Sequence, residues 1–372
     1  MVILDCDMKY QEFFSTVKDF RVKGRCLHSL EDILMLSLCA VICGAEDFED
    51  IENYGRQKEE FLRSFLQLPN GIPSHDTIDR VFRHLDTASL SETLHRWSSD
   101  LLEFISCYQI NIDGKVLRGT AEAGKKTSGL CLVSAWVSSQ GLSLGQVKVD
   151  EKSNEKTAIP ELIAALDLEN AVVSIDAVAC STSTATQVIE KRGDYLLALK
   201  KNQKTLYDQI TSEIERQKPA LAHDIWEDFG SGRIEKRTCY VLKDLQFLEG
   251  LENWAGVHSV VMIESQREKN EKIAQETRYY LSSLDESAAE FNRLVRGHWS
   301  IENQLHWQLD VSFQEDRSRI RKNNAPENMA TLRKIALQAL KQAKDKQSIK
   351  SRRKIAGWNN ECLIQILQNM RF

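Results

Sequence analysis

The feature that most constrains the fold of this 372-residue chain is a change in the spacing of its apolar residues near residue 108. Before this point, apolar residues recur with a helical period. After it, short segments either alternate or are almost wholly apolar, which is typical of strands. These segments cover residues 108–113, 130–138, 142–149, 171–176 and 195–200. Because helices separate the later strands, the pattern predicts a mixed α/β sheet with an antiparallel edge.

Residues 1–100 are predicted to form a small all-helical N-terminal domain. Ser29, followed by two acids, predicts the start of a helix that ends near Gly44. A second helix is expected over residues 48–66. Ser74 predicts the cap of a third helix that extends to about Leu85. Two interpretations of this third helix remain open, a DNA-reading helix or a packing helix of a small domain.

The α/β part is predicted to cover residues 105–345 and to contain a β-rich insertion. Between about residues 204 and 280, one helix and three strand-like segments interrupt the alternation of strands and helices. A long helix is predicted over residues 287–309 and another over residues 326–344. The remaining residues, 346–372, are expected to form a basic C-terminal tail.

Composition and charge narrow the function classes. No apolar run reaches the roughly 18 residues of a membrane helix, and the start has no secretory pattern, so we expect a cytoplasmic protein without a membrane partner. The nine cysteines are too scattered for a disulfide framework.

A net charge of −5 argues against a general nucleic-acid binder. Residues 317–354, however, hold thirteen Lys and Arg against Glu327 and Asp345. This stretch is either a polyanion-binding surface or a solvated helical face.

Two aspartates have the same placement relative to the predicted strands. Asp113 ends the first strand, before Gly114, and Asp176 ends the buried strand, after Ile175. Carboxylates at the ends of adjacent strands converge at the rim of a sheet, where ligands of α/β proteins bind. Oxygen ligands suit hard divalent cations. The pair therefore predicts a divalent-cation site.

The helix over residues 296–310 offers a third acid. His298, Glu302 and His306 recur every four residues on one face. With Asp113 and Asp176, Glu302 would complete an Asp-Asp-Glu set for two Mg²⁺ or Mn²⁺ ions about 4 Å apart, the arrangement that promotes in-line displacement at a phosphodiester. A zinc hydrolase built on the two histidines and Glu302 is the alternative.

Five segments closely resemble bacterial insertion-sequence transposases, and the nearest group is the H-repeat-associated proteins of Rhs elements. The segments are Asp32–Ala45, Leu68–Thr77, Ile112–Lys115, Asp194–Lys200 and His298–Asp310. The resemblance implies a ribonuclease H-like catalytic fold with a β-rich insertion before the Glu helix. It implies an Asp-Asp-Glu triad at Asp113, Asp176 and Glu302, with two Mg²⁺ (or Mn²⁺) ions per active site. It also implies that the partner is double-stranded DNA, bound at the element ends and at the target site. The protein would then act in the nucleoid. Joining two ends requires at least a homodimer in the DNA complex.

The chain departs from the family pattern at several positions. After the second aspartate, related transposases usually have Ala-Met-Gly-Cys-Gln, whereas here residues 177–181 read Ala-Val-Ala-Cys-Ser. A His-Gly-Arg of the insertion is Ser-Gly-Arg at residues 231–233. Along the Glu helix, Val295, His298 and Leu309 replace the Tyr, Arg and Lys of the broader group. These changes favour a second hypothesis, a degenerate remnant that binds DNA without cutting it.

Basic and aromatic residues near these motifs are candidates for contacts with DNA. Arg296 and His298 are expected beside the scissile phosphate, one turn from Glu302, and Lys115 and Arg118 near Asp113. Backbone contacts are expected from six further residues. They are Arg317, Arg319, Arg321, Lys322, Arg333 and Lys334. Trp226 or Trp254 of the insertion would either stack on a displaced base or belong to the core.

Overall fold

The computed structural model describes residues 10–102, 108–121, 129–150, 154–230, 233–269, 272–343 and 346–370. The helices are α1 (Tyr10–Phe13), α2 (Leu30–Cys43), α3 (Phe48–Gln57), α4 (Glu59–Leu62), α5 (His75–His84), α6 (Thr87–Leu102), α7 (Glu155–Ala165), α8 (Thr182–Glu190), α9 (Lys204–Gln217), α10 (Ala288–His298), α11 (Trp307–Ser312), α12 (Ala325–Gln342), α13 (Ile349–Trp358) and α14 (Asn360–Gln368). The strands are β1 (Tyr108–Leu117), β2 (Leu130–Val137), β3 (Leu142–Lys148), β4 (Ala171–Ile175), β5 (Asp194–Leu199), β6 (Ala222–Gly230), β7 (Arg233–Leu242), β8 (Ser259–Lys269) and β9 (Lys272–Ser282). None of the helices in these ranges is long and apolar enough to cross a membrane.

The described strands form one nine-stranded sheet in the order β3-β2-β1-β4-β5-β9-β8-β7-β6. The central strands β1, β4 and β5 are parallel neighbours. On one side of these three strands, β1 pairs antiparallel with β2 and β2 with the edge strand β3; on the other side, β5 pairs antiparallel with β9. The predicted mixed α/β sheet with an antiparallel edge is confirmed.

The β-rich insertion continues this sheet as the antiparallel strands β6 to β9. Three of these strands fall on the predicted strand-like segments, whereas β6 was not predicted. One face of β6 is only partly buried, through Asp224, Trp226 and Asp228, and two of these are acids, so the sequence lacks the alternation of apolar and polar residues that identifies a half-buried strand. Ser231 and Gly232, part of the Ser-Gly-Arg that replaces the family's His-Gly-Arg, lie outside the described residues.

Helices cover both faces of the sheet and bury two separate cores. On one face α7, α8 and α9 pack on the strands through residues such as Leu162, Val188 and Ile210. On the other face α10 packs through Phe291 and Leu294. Alternate residues of each strand therefore point to different helices.

The N-terminal helices share their core with the C-terminal helices. Ser29 accepts the N–H of Asp32 and caps α2, and Gly44 ends it with a φ of 122°, as predicted. The buried centre of α2 packs against α12 and α13. Helix α5 begins at its predicted cap, Ser74, and its apolar side packs toward α12, where Asn328 donates to the Phe82 carbonyl. These contacts favour the packing interpretation of α5.

Residues 349–368, expected to belong to a basic C-terminal tail that ends in a short helix, form α13 and α14 against this core. Their apolar residues recur at helical spacing, and Leu363 and Leu367 are buried. Arg353 is buried as well, since its guanidinium donates to the carbonyls of Val41 (2.7 Å) and Ser312 and stacks on Phe313. The Arg353 guanidinium thus links α13 to α2 and α11 and does not face solvent.

Candidate active site

The two aspartates lie side by side at the rim of the parallel strands. Asp113 does not end its strand as predicted, because β1 continues to Leu117 through antiparallel pairing with β2. Parallel pairing with β4, however, stops at Ile112 and Ile175. Asp113 and Asp176 therefore both lie one residue beyond the last parallel pair. Asp176 is held there by the N–H of Ala177, which donates to Oδ1 at 2.6 Å.

Glu302 lies on the helical segment that follows the insertion. The predicted continuous helix is divided into α10, a π-helical turn over Glu302–His306, and α11. Such turns widen a helix by one residue and recur at functional sites. In this turn Leu305 and His306 are buried, whereas Glu302 is exposed. The turn thus presents the carboxylate on the open side of the helix.

The three carboxylates line one cavity of about 160 Å³. They reach it from three separate elements, β1, the end of β4, and the π-helical turn. Other polar and aromatic residues complete the wall: Lys200, Glu276, Arg278, Tyr280, His298 and Trp299. Arg278 lies over the Trp299 ring at 4.1 Å. Chain segments that are far apart in sequence therefore meet at a single acidic cavity.

Burial among other acids controls the protonation of these carboxylates. Burial, together with the charges of Glu302, Glu155 and Asp176, raises the pKa of Asp113 to about 7. Burial would also raise the pKa of Asp176, but the Ala177 N–H and the Lys200 ammonium lower it below its ordinary value. Lys200 Nζ lies 3.2 Å from Asp176 Oδ1. The two aspartates therefore differ in charge at neutral pH.

The two histidines of the Glu helix occupy different environments. His298 lines the cavity, its Nδ1 lies 2.9 Å from Ser174 Oγ, and burial lowers its pKa to about 4. His306 is buried against β1, with Nδ1 3.6 Å from Asp113 Oδ2, and burial lowers its pKa to about 3. Both imidazoles are therefore neutral at pH 7. Because they do not line the same cavity, a zinc site built on His298, Glu302 and His306 is not supported.

The donor set suits a hard divalent cation, although the carboxylates are not gathered around one point. Among the described residues, no group of three or more His, Cys, Asp or Glu side chains is close enough to hold a metal ion. Three carboxylates nevertheless share one cavity, and the raised pKa of Asp113 reflects the cost of its burial and, to a smaller extent, of the neighbouring acids. A bound cation would remove that cost.

The structure separates the predicted DNA contacts into exposed and buried groups. Five are exposed and lie on neighbouring segments, because the turn after β1 packs on residues 315–317. They are Arg118, Arg317, Arg319, Arg321 and Lys322. Arg321 Nε also donates to the Gly119 carbonyl at 2.9 Å. Arg296 is exposed elsewhere, where its guanidinium stacks on Trp226 at 3.7 Å.

Three predicted phosphate contacts are wrong. The Lys115 ammonium is enclosed by Asp310, Glu315 and Asp316. Arg333 and Lys334 are buried on α12. Arg333 donates to the Glu46 carbonyl and Lys334 to Ser134 Oγ. Each cation is already neutralised or hydrogen-bonded inside the protein, where a phosphate cannot reach it.

The insertion tryptophans also differ. Trp254 is only 5% exposed and belongs to the core beneath the sheet. Trp226 is partly exposed, and its ring lies between the guanidinium groups of Arg237 and Arg296. Trp226 is therefore the insertion tryptophan near the surface, and its ring already stacks with two guanidinium groups.

Sequence reasoning missed three charged residues beside the aspartates. Lys200 follows the strand next to β4, so the strand-end argument that identified Asp176 could also have found it. Arg278 enters from β9 and has no local signal. Glu155 begins α7 and approaches Gly114 so closely that a Cβ there would lie 2.0 Å from Oε1. Only the folded chain brings Arg278 and Glu155 to the site.

Comparison with known proteins identifies the family. The transposase DDE domain model matches residues 109–338, and the DDE_Tnp_1-associated model matches residues 11–98. The YncI protein of Escherichia coli O157:H7 is 37% identical over 367 residues, which cover 95% of this chain and 93% of YncI. The H repeat-associated protein YhhI of Escherichia coli (strain K12) is 36% identical over 89% of this chain and 90% of YhhI.

Two further matches are partial or distant. YbfQ of Escherichia coli (strain K12), named an inactive transposase, is 48% identical over 73 residues, or 20% of this chain and 87% of YbfQ. A solved piggyBac transposase synaptic complex with hairpin DNA covers 97% of this chain and 78% of that chain, with 12% identity and a TM-score of 0.43, too low to carry an argument. The domain and full-length matches decide the assignment: this chain belongs to the transposase DDE domain family, among relatives that include H repeat-associated proteins, and has a ribonuclease H-like fold.

Proposed function

We propose that this protein is a DNA transposase that cleaves and joins strands at the ends of an insertion element, with Asp113, Asp176 and Glu302 as its catalytic residues. The observation that carries the proposal is the convergence of these carboxylates, from three separate elements, on one cavity. The chain's family membership makes phosphodiester chemistry the reaction class.

The three carboxylates would hold two Mg²⁺ or Mn²⁺ ions, which supply an activated hydroxyl and stabilise the leaving oxygen. The protein's own groups prepare the site for this. Lys200 keeps Asp176 ionised. The neutral imidazole of His298 adds no net charge to the cavity while presenting a polar edge to it.

The substrate would bind along the exposed basic surface formed by Arg118, Arg317, Arg319, Arg321 and Lys322. Arg118 follows Asp113 by five residues, on the turn after β1, so DNA held on this surface would approach the acidic cavity along that strand. Guanidinium groups pair with phosphates in a bidentate geometry that fixes the register of the duplex. We further propose that two copies join in the DNA complex, each at one element end, and that they act in the nucleoid.

The test is nicking of DNA that carries the flanking element ends, with Mg²⁺ or Mn²⁺, by the wild-type protein and by Glu302→Gln. Glu290→Gln, an exchange on the first turn of α10 outside the cavity, is the matched control. Metal-dependent nicking by the wild type and the control, lost in Glu302→Gln, is expected. Equal nicking by all three proteins would remove Glu302 from the reaction.

A second candidate is a remnant that binds DNA without cutting it. The altered sequence after Asp176 favours it, because Ala177–Ala179 form a short 3₁₀ turn directly beside the proposed ligand. Salt-dependent DNA binding without nicking, at any Mg²⁺ or Mn²⁺ concentration, would select this candidate.

A further inference from the structure

The second residue after Asp113 is tied to the helix that carries Glu302. Lys115 Nζ lies 2.7 Å from Asp310 Oδ1, 3.1 Å from Glu315 Oε2 and 3.3 Å from Asp316 Oδ1. The Lys115 side chain is 10% exposed and that of Glu315 is 1% exposed. The side chains of Asp310 and Asp316 are 33% and 26% exposed. Because the ammonium itself is largely buried, its ion pairs are screened less by solvent than those of a surface lysine.

The spacing of these residues aligns the strand with the helix. Asp113 and Lys115 are two residues apart, so they lie on the same face of β1. His306 and Asp310 are four residues apart and lie on one face of the helical segment, after the π-helical turn that begins at Glu302. His306 Nδ1 lies 3.6 Å from Asp113 Oδ2, and Asp310 binds Lys115. The strand and the helix thus meet at Asp113, in the cavity wall, and again at Lys115, beyond the cavity.

We propose that Lys115 and Asp310 form a strand–helix clasp that positions Glu302 relative to Asp113. This inference rests on the proposed function, because the separation of the two carboxylates matters only if they hold ions together. Neither residue of the clasp lines the cavity, so both act as positioning residues. The clasp fixes the helix along the strand, and the π-helical turn then fixes where Glu302 enters the cavity.

Asp316 provides a control for general loss of an ion pair. It binds the same ammonium as Asp310 but belongs to the segment after the helix, at Glu315–Arg317. Replacing either acid by Asn removes one carboxylate from Lys115. Only Asp310→Asn removes the ionic contact between α11 and β1, whereas Asp316→Asn also removes the contacts of Asp316 with Arg118 on the turn after β1. A purely structural role would make the two variants equivalent.

The experiment measures Mn²⁺ affinity of the full chain by electron paramagnetic resonance, alongside thermal unfolding without metal. We expect Asp310→Asn to weaken Mn²⁺ binding at least roughly tenfold, in the range seen for residues that orient metal ligands. Asp316→Asn should stay within about twofold of the wild type, while both variants lower the unfolding temperature. Weakening by both variants alike, or by neither, would overturn the clasp.

Glu302→Gln separates the failure of this inference from failure of the proposed function. If Glu302→Gln weakens Mn²⁺ binding but Asp310→Asn does not, the clasp is wrong and the carboxylate site stands. If the wild type binds no Mn²⁺, or binds it equally without the Glu302 carboxylate, both the proposed site and the clasp are wrong.

Discussion

Replacing Asp113 by Asn should stabilise the metal-free protein at neutral pH. Burial and the neighbouring acids raise the pKa of Asp113 from 3.8 to about 7. The folded state therefore binds this proton more tightly than the unfolded state does. The resulting stability is fully present below about pH 4 and is lost as the pH rises through 7. Asn mimics the protonated side chain and avoids that loss.

The magnitude follows from the size of the shift. A change of roughly three units, at about 1.36 kcal/mol per unit, gives an upper limit of about 4 kcal/mol in the free energy of unfolding. The Asp113 side chain is 23% exposed, so solvent screens only part of this interaction. Such a gain at a proposed catalytic position is the usual trade-off between stability and function.

The assay is urea unfolding with a chelator at pH 4, 6 and 8, comparing the wild type with Asp113→Asn. The two proteins should have similar free energies of unfolding at pH 4, and the variant should gain progressively toward pH 8. Asp208→Asn, on the exposed side of α9, controls for removal of one negative charge. A difference that does not change with pH, or a less stable variant at pH 8, would refute the electrostatic reasoning.

Three further predictions concern the charged residues. Lys115→Met should lower the free energy of unfolding by about 3–5 kcal/mol, because it leaves the Glu315 carboxylate buried without the Lys115 ammonium. The assay is urea unfolding at pH 7, and a loss below about 1 kcal/mol would contradict the enclosed ion pair. Arg353→Met should also destabilise the protein in the same assay, since its guanidinium donates to carbonyls of two distant segments; unchanged stability would argue against that link. The double change Arg317→Ala and Arg319→Ala should leave the unfolding temperature unchanged. It should reduce the slope of log DNA affinity against log salt concentration by about 2, measured by fluorescence anisotropy. An unchanged slope would exclude both residues from phosphate contact.

Features that depend on nearby residues could be predicted from the sequence. The caps at Ser29 and Ser74 require only the first turn of each helix. The segment before Asp113 alternates and that before Asp176 is almost wholly apolar, and the pairing of parallel neighbours in a sheet ends at the same rim. These local rules were enough to predict the sheet and to suggest which acids meet.

Features that depend on distant partners could not be predicted in this way. Lys115 and the acids that bind it are about 200 residues apart in the sequence. The residues next to such a lysine do not distinguish it from a lysine that faces solvent. Lys334 and Arg353 were read as surface charges for the same reason. Their hydrogen-bond partners, Ser134 and Val41, come from other elements. The π-helical turn at Glu302 likewise interrupts a segment whose local sequence predicts a continuous helix.

The most direct test of the account measures DNA binding and strand cleavage in the same reactions. Wild type, Asp113→Asn, Asp176→Asn and Glu302→Gln would each be brought to equal occupancy of end-containing DNA with Mn²⁺. The account predicts that all four proteins bind and that only the wild type cleaves. Cleavage at wild-type rate by any one of the three variants, at equal occupancy, would contradict the assignment of that carboxylate.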